Sequence, residues 1–166
     1  SANKYENGRL HSTTGAYGLY STSKLFGDKN LNIGAAFTQN YNSDGFNGKA
    51  NANRIYLSYP NDKVEFDMAW QRSAAAFNPE MGFKRRNNFK QYEGNLRFSP
   101  RIASSDAIRR LVFQAGTESY WSASFDDLET REHELSFTTE FEEGDEFELS
   151  LTDQFEMLRE PFRIAP

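Results

Sequence analysis

Glu80, Arg85 and Arg86 lie close together in the chain, with Lys84 and Lys90 beside them. A guanidinium pairs bidentately with carboxylates and phosphates. The run could therefore receive an anionic ligand, a lipopolysaccharide phosphate included. Equally, Glu80 could pair with Arg85 or Arg86 and lock the loop that carries them. Glu93 and Arg97 follow on one side of the next predicted strand. There they would add opposite charges to whatever space the loop overlooks.

Other constellations lead less far. Asn40-Tyr41-Asn42-Ser43-Asp44-Gly45 has the oxygen spacing and glycine of a calcium loop, but the twelfth position, which needs a bidentate Glu, is Asn51. An ordinary polar loop accounts for it. Glu132 and Glu134 project to one face of a predicted strand, with nothing in the sequence to raise either pKa. His11 and His133 are isolated, and no G-x-S-x-G motif accompanies them. No catalytic residue, metal or cofactor is assigned. Tyr41, Phe46, Phe77 and Phe83, in or beside loops, could stack on sugars or pack the loops against their own scaffold.

The loop that carries the basic run must hold its shape. In Phe77-Asn78-Pro79-Glu80-Met81-Gly82-Phe83, Pro79 fixes its own φ and pushes Asn78 out of the helical region. Strands are expected on either side, and no helix is predicted anywhere. The chain has 166 residues, the size of one domain or a piece of a larger one. It has no cysteine, which removes disulfides and thiolate metal sites. A net charge of −5 argues against a nucleic-acid partner. Aromatics reach 15% although mean hydropathy is −0.78, a pairing that suits strands with one apolar and one wet face. No apolar run approaches the roughly 18 residues of a membrane helix, which leaves strands as the only route across a membrane.

Period-two alternation marks eight strands: Thr13 to Lys24, Leu31 to Tyr41, Arg54 to Tyr59, Val64 to Arg72, Lys90 to Ser99, Arg109 to Phe125, Thr130 to Glu142 and Phe147 to Phe155. Tyr17 and Leu19 are assigned to the apolar face of the first, and Arg109 to Phe125 is the longest. Ser1 to Ser12 and Asn42 to Asn51 are expected to be polar loops. The fold class is thus all-β, an antiparallel up-and-down meander of about eight strands.

Alternation does not say which face is inside. A soluble barrel or sandwich buries its apolar set, whereas a transmembrane barrel turns that set to lipid and its polar set to a wet lumen. Alternating short and long connections favour the membrane version. So do rings near both ends of the apolar face: Tyr59, Phe98, Phe141 and Phe147 toward the turns, Trp70, Tyr92, Trp121 and Phe155 toward the loops. Asp153, on the apolar face, runs against it.

The segment Phe77 to Phe83, then Arg85-Arg86, Tyr92 and Leu96-Arg97-Phe98-Ser99-Pro100-Arg101, resembles the signature of a bacterial domain of unknown function. Phe141-Glu142-Glu143-Gly144-Asp145, Leu149 to Phe155 and Glu160-Pro161-Phe162 are similar to a second stretch of that family. Its members are predicted to join a module similar to family-nine carbohydrate-binding modules to an outer-membrane β-barrel. The resemblance covers roughly the latter half of the chain. It implies that residues 1–166 are one internal segment of a larger transmembrane barrel in the bacterial outer membrane. The expected partners are membrane lipid, a carbohydrate or lipopolysaccharide, and other envelope proteins. The expected role is to bind or pass a polysaccharide-related substrate through a charged lumen, using Glu80, Arg85, Arg86, Glu93 and Arg97. The alternative is a soluble β-barrel or sandwich that holds a small apolar ligand or a sugar.

Overall fold

In the computed structural model every element among the described residues is a strand, and each pairs antiparallel with the next. The structure describes residues 2–6, 9–42, 45–78 and 86–158. The strands are β1 (Ala2–Glu6), β2 (Arg9–Leu25), β3 (Lys29–Asn42), β4 (Gly45–Pro60), β5 (Val64–Ser73), β6 (Phe89–Phe98), β7 (Ile108–Ser122), β8 (Leu128–Phe141) and β9 (Glu146–Glu156). They form one nine-stranded sheet in sequence order. Among the described residues β1 does not pair with β9, so the sheet is open.

Four expectations about strand bounds and connections need correction. Much of Ser1 to Ser12 is strand, supplying β1 and the start of β2. Most of Asn42 to Asn51 is strand as well, because β4 begins at Gly45 and pairs with β3. Polar residues there give no alternation, yet the ladder set by Ile33↔Leu57 and Phe37↔Asn53 carries the pairing outward. The longest strand is β2 with 17 residues, not β7. The expected alternation of short and long connections also fails. Residues 74–88 join β5 to β6 at one end of the sheet, but residues 99–107 join β6 to β7 at the other.

Register assigns each residue to a face. One apolar row runs Tyr59↔Phe66↔Leu96↔Ala115↔Leu135↔Leu151, and the next Val64↔Phe98↔Phe113↔Phe137↔Leu149. Rings pack along these rows, with centroids 5.1 Å apart for Tyr59–Phe66 and for Phe113–Phe137. On β2 the apolar face takes Ala16, Gly18 and Tyr20, which pair with Phe37, Ala35 and Ile33. Tyr17 and Leu19 therefore lie on the polar face, against expectation. Both faces of β2 carry apolar residues, so its own pattern is ambiguous and the partner strand decides.

Among the described residues no core underlies the apolar face. Leu96 is 49% exposed and Leu149 64%, and Ile33, Ile55, Met68, Phe113 and Leu135 are exposed with them. Buried residues gather toward the two ends of the sheet, Phe77, Phe89, Ser73 and Ser122 at the end that carries segment 74–88, and Ser99, Thr139 and Glu140 at the other.

The opposite end is tied together across its turns. The Asn30 N–H donates to Asn61 Oδ1, and Asn61 Nδ2 donates back to Asn30 O. Ser99 Oγ donates to Asp62 O, and Glu142 N–H to Ala107 O. In the β2–β3 turn, a hydrogen bond from Lys29 holds the Asp28 carboxyl below the usual carboxylate range.

Candidate functional site

The polar face carries the candidate site. Its β6 strand presents Phe89, Gln91, Glu93, Asn95 and Arg97 in turn, because successive side chains alternate. Glu93 sits in the row Tyr56↔Ala69↔Glu93↔Glu118↔Glu132↔Gln154. Like charges directly opposite repel. Neutral donors offset part of this: Gln91 Nε2 donates to Glu118 at 2.6 Å, Tyr120 Oη to Glu118 at 3.0 Å and Gln154 Nε2 to Glu132 at 2.8 Å.

Arg86 stands where the connecting segment returns to the sheet. Its guanidinium lies 4.4 Å from the Tyr120 ring centroid, donates to Thr130 Oγ1 at 3.3 Å and sits 3.7 Å from Glu129. The guanidinium stacks as a cation over the ring face. At the start of the same segment Asn40 Nδ2 donates to the backbone oxygen of Asn78, and Phe77 is buried. The segment is thus anchored near β3 at one end and over β7 and β8 at the other. Glu80 and Arg85 lie outside the described residues, as do Pro79 and Phe83.

Arg97 belongs to a separate station nearer the turns, 3.6 Å from Glu65 across β5 and β6. Arg86, Glu93 and Arg97 therefore share a face but form no single cluster. They mark successive levels of it, with Glu93 and Arg97 about 13 Å apart along β6 at roughly 3.3 Å per residue.

Glu140 is legible in the sequence as a polar-face charge able to pair across strands, but its two partners, and a contact between Tyr56 and Gly34, are not. Glu140 is buried at the turn end of the polar face, between Arg109 Nη2 at 2.8 Å and Arg110 Nη2 at 2.5 Å. The Tyr56 ring covers Gly34, and its hydroxyl is 2.9 Å from that of Tyr17. The signal for that contact was the small residue at position 34, which only the β3–β4 register connects to Tyr56.

The apolar face carries charge at its loop end, where Lys90 pairs with Asp126 at 2.5 Å, and again between β8 and β9. Arg131 and Asp153 pair at 3.0 Å there, beside His133, which is the register partner of Asp153. Among the described residues no group of three or more His, Cys, Asp or Glu is arranged to hold a metal ion.

Comparison with known proteins returns no match to a family model, a curated protein or a solved structure.

Proposed function

We propose that this sheet is part of the wall of a larger outer-membrane β-barrel, with its apolar face against lipid and its polar face lining a wet lumen. The observation that carries the reading is the uncovered apolar face. A single-layer sheet that exposes Ile33, Ile55, Met68, Leu96, Phe113, Leu135 and Leu149 requires an apolar medium on that side. Its height fits a bilayer. From Phe147 to Phe155 the chain runs about 27 Å at roughly 3.4 Å per residue. Tilted as barrel strands are, that approaches the apolar band of about 25 Å seen in such barrels. Trp70, Tyr92 and Phe155 fall in one row at the loop side, and Lys63 Nζ reaches over Phe98 at 5.9 Å at the turn side. Rings and snorkelling cations suit the two interfaces. Further strands would satisfy the open edges of β1 and β9.

The envelope protein so built selects a polysaccharide-related substrate or anionic headgroup by its charged lumen and the anchored segment 74–88. Glu80, Arg85, Arg86, Glu93 and Arg97 are its proposed contacts. The sequence resemblance to an outer-membrane family associated with a carbohydrate-binding module supports this reading. Membrane fractionation of the full-length protein, followed by gel mobility with and without heating, tests it. An outer-membrane band that shifts on heating is expected. Recovery in the soluble fraction would overturn the proposal.

The Arg131–Asp153 pair favours a second reading for that patch, in which another protein layer covers the apolar face, as in a soluble barrel or sandwich holding an apolar ligand or sugar. Solubility without detergent together with cooperative unfolding would support it.

A further inference from the structure

Arg72 and Lys90 are register partners across β5 and β6 at the loop end of the apolar face. Directly opposed residues of an antiparallel pair stand about 4.5–5.5 Å apart at Cα, and like charges there repel. Both belong to the face of Trp70 and Tyr92, because side chains two apart along a strand share a side. Arg72 Nη1 donates to Asn51 Oδ1 at 3.1 Å, and Lys90 Nζ meets Asp126 at 2.5 Å. Asn51 is uncharged and the Asp126 side chain is 75% exposed, so one exposed carboxylate stands against two cations.

Beside the cations the apolar face is hollow. The next row toward the turns holds Trp70 and Tyr92, and the row after it Met68, Gly94 and Thr117. Gly94 brings no side chain to its row, and a groove of about 430 Å³ opens there, lined by Ile55, Met68, Trp70, Tyr92 and Thr117 among others. A second hollow of about 510 Å³ lies on the β7 side of Tyr92, against Ser119 and Trp121, and reaches Asp126. From Lys90 to Gly94 the strand runs about 13 Å at roughly 3.3 Å per residue. Two cations at an aromatic row, with apolar tracks leading away from them, are the complement of an anionic head joined to acyl chains.

We infer that this part of the apolar face seats one membrane lipid with an anionic phosphate headgroup, its phosphate held between Arg72 and Lys90 and its acyl chains lying in the hollows beside Tyr92. A guanidinium forks onto phosphate oxygens, and an ammonium adds a point charge. The phosphate competes with Asp126 for Lys90, so that carboxylate lowers the affinity. The inference rests on the reading of the apolar face as lipid-facing and names the lipid that this stretch of it selects.

The test is native mass spectrometry of the full-length protein released from detergent micelles, titrated with phosphatidylglycerol and, separately, with phosphatidylcholine. Phosphatidylglycerol should bind at least about fivefold tighter. Arg72→Gln and Lys90→Gln should each weaken its binding about fivefold, the scale of one basic residue beside an anionic lipid. Arg101→Gln makes the same charge change on an exposed side chain at the turn end and should stay within about twofold. Asp126→Asn frees Lys90 and should strengthen binding about threefold, a gain that damage to the fold does not produce. Asparagine also tolerates the positive φ of that position. Gly94→Leu fills the groove and should weaken binding about threefold. Equal binding of the two lipids overturns the inference, as does binding that Arg72→Gln and Lys90→Gln leave unchanged. Competition by inorganic phosphate at the lipid's own concentration would also overturn it, assigning the cations to a free anion. Outer-membrane partition without preference for phosphatidylglycerol would sink this inference and leave the barrel reading standing. Binding of phosphatidylglycerol that needs Arg72 and Lys90, by a protein found in the soluble fraction, would do the reverse.

Discussion

The Tyr56 ring lies across the backbone of Gly34, its register partner on β3, so that a Cβ at position 34 would overlap the ring. The glycine there makes room for an aromatic side chain to lie down on the sheet toward β2, where its hydroxyl stands 2.9 Å from that of Tyr17. At Gly18, on the apolar face, no atom stands within 4 Å of an added Cβ.

Gly34→Ala should therefore destabilise the protein by about 1–3 kcal/mol, the usual cost of overpacking. Gly18→Ala should be neutral or stabilise by up to about 1 kcal/mol, since glycine weakens a strand interior. Denaturant midpoints of the two variants provide the check. Equal effects at the two positions would mean that Tyr56 does not occupy the Gly34 surface.

Glu140 holds two guanidinium groups at the turn end of the polar face. Glu140→Gln keeps the shape and removes the charge, and should cost about 1.5–3 kcal/mol, the range for hydrogen bonds to charged groups. Arg109→Ala should cost less than Arg110→Ala, because the Arg109 side chain is 52% exposed and that of Arg110 24%. Urea unfolding of the three variants would show the order, and the reverse order for the two arginines would contradict the assigned roles.

Arg86 anchors the returning end of segment 74–88 over Tyr120 and Thr130. Arg86→Ala should leave global stability within about 1 kcal/mol, as expected for a partly exposed cation–π contact, while raising the rate of proteolysis within that segment. Arg86→Lys should restore little, since an ammonium lacks the planar stack. An unchanged cleavage rate in both variants would show that Arg86 is no anchor.

Legibility in the sequence followed the strength of alternation. β5, β6 and β9 run within a residue of their expected bounds, because Val64, Phe66, Met68 and Trp70, and their counterparts, leave one face unmistakable. The early part of β4, with Asn47, Asn51 and Asn53, offers no such pattern, and its pairing comes from the neighbouring ladder. Tyr17 and Leu19 were misassigned because β2 is apolar on both sides. Glu93 and Arg97 were legible as polar-face residues by parity alone. Their separation into different stations, and the anchoring of Arg86 by Tyr120, depend on cross-strand register between distant segments, which period-two counting does not supply.

In a barrel wall set in lipid, the two sides of one strand meet different media. The chain contains no cysteine, so L96C and R97C introduce unique labelling positions within it, adjacent in sequence and opposite in direction. With the full-length protein in lipid vesicles and a spin label at each position, collision with oxygen dissolved in lipid and with a water-soluble nickel chelate can be compared. A label at position 96 should respond to oxygen and be shielded from the chelate, and a label at 97 should respond to the chelate. The opposite pattern, or water access at both positions, would contradict the account.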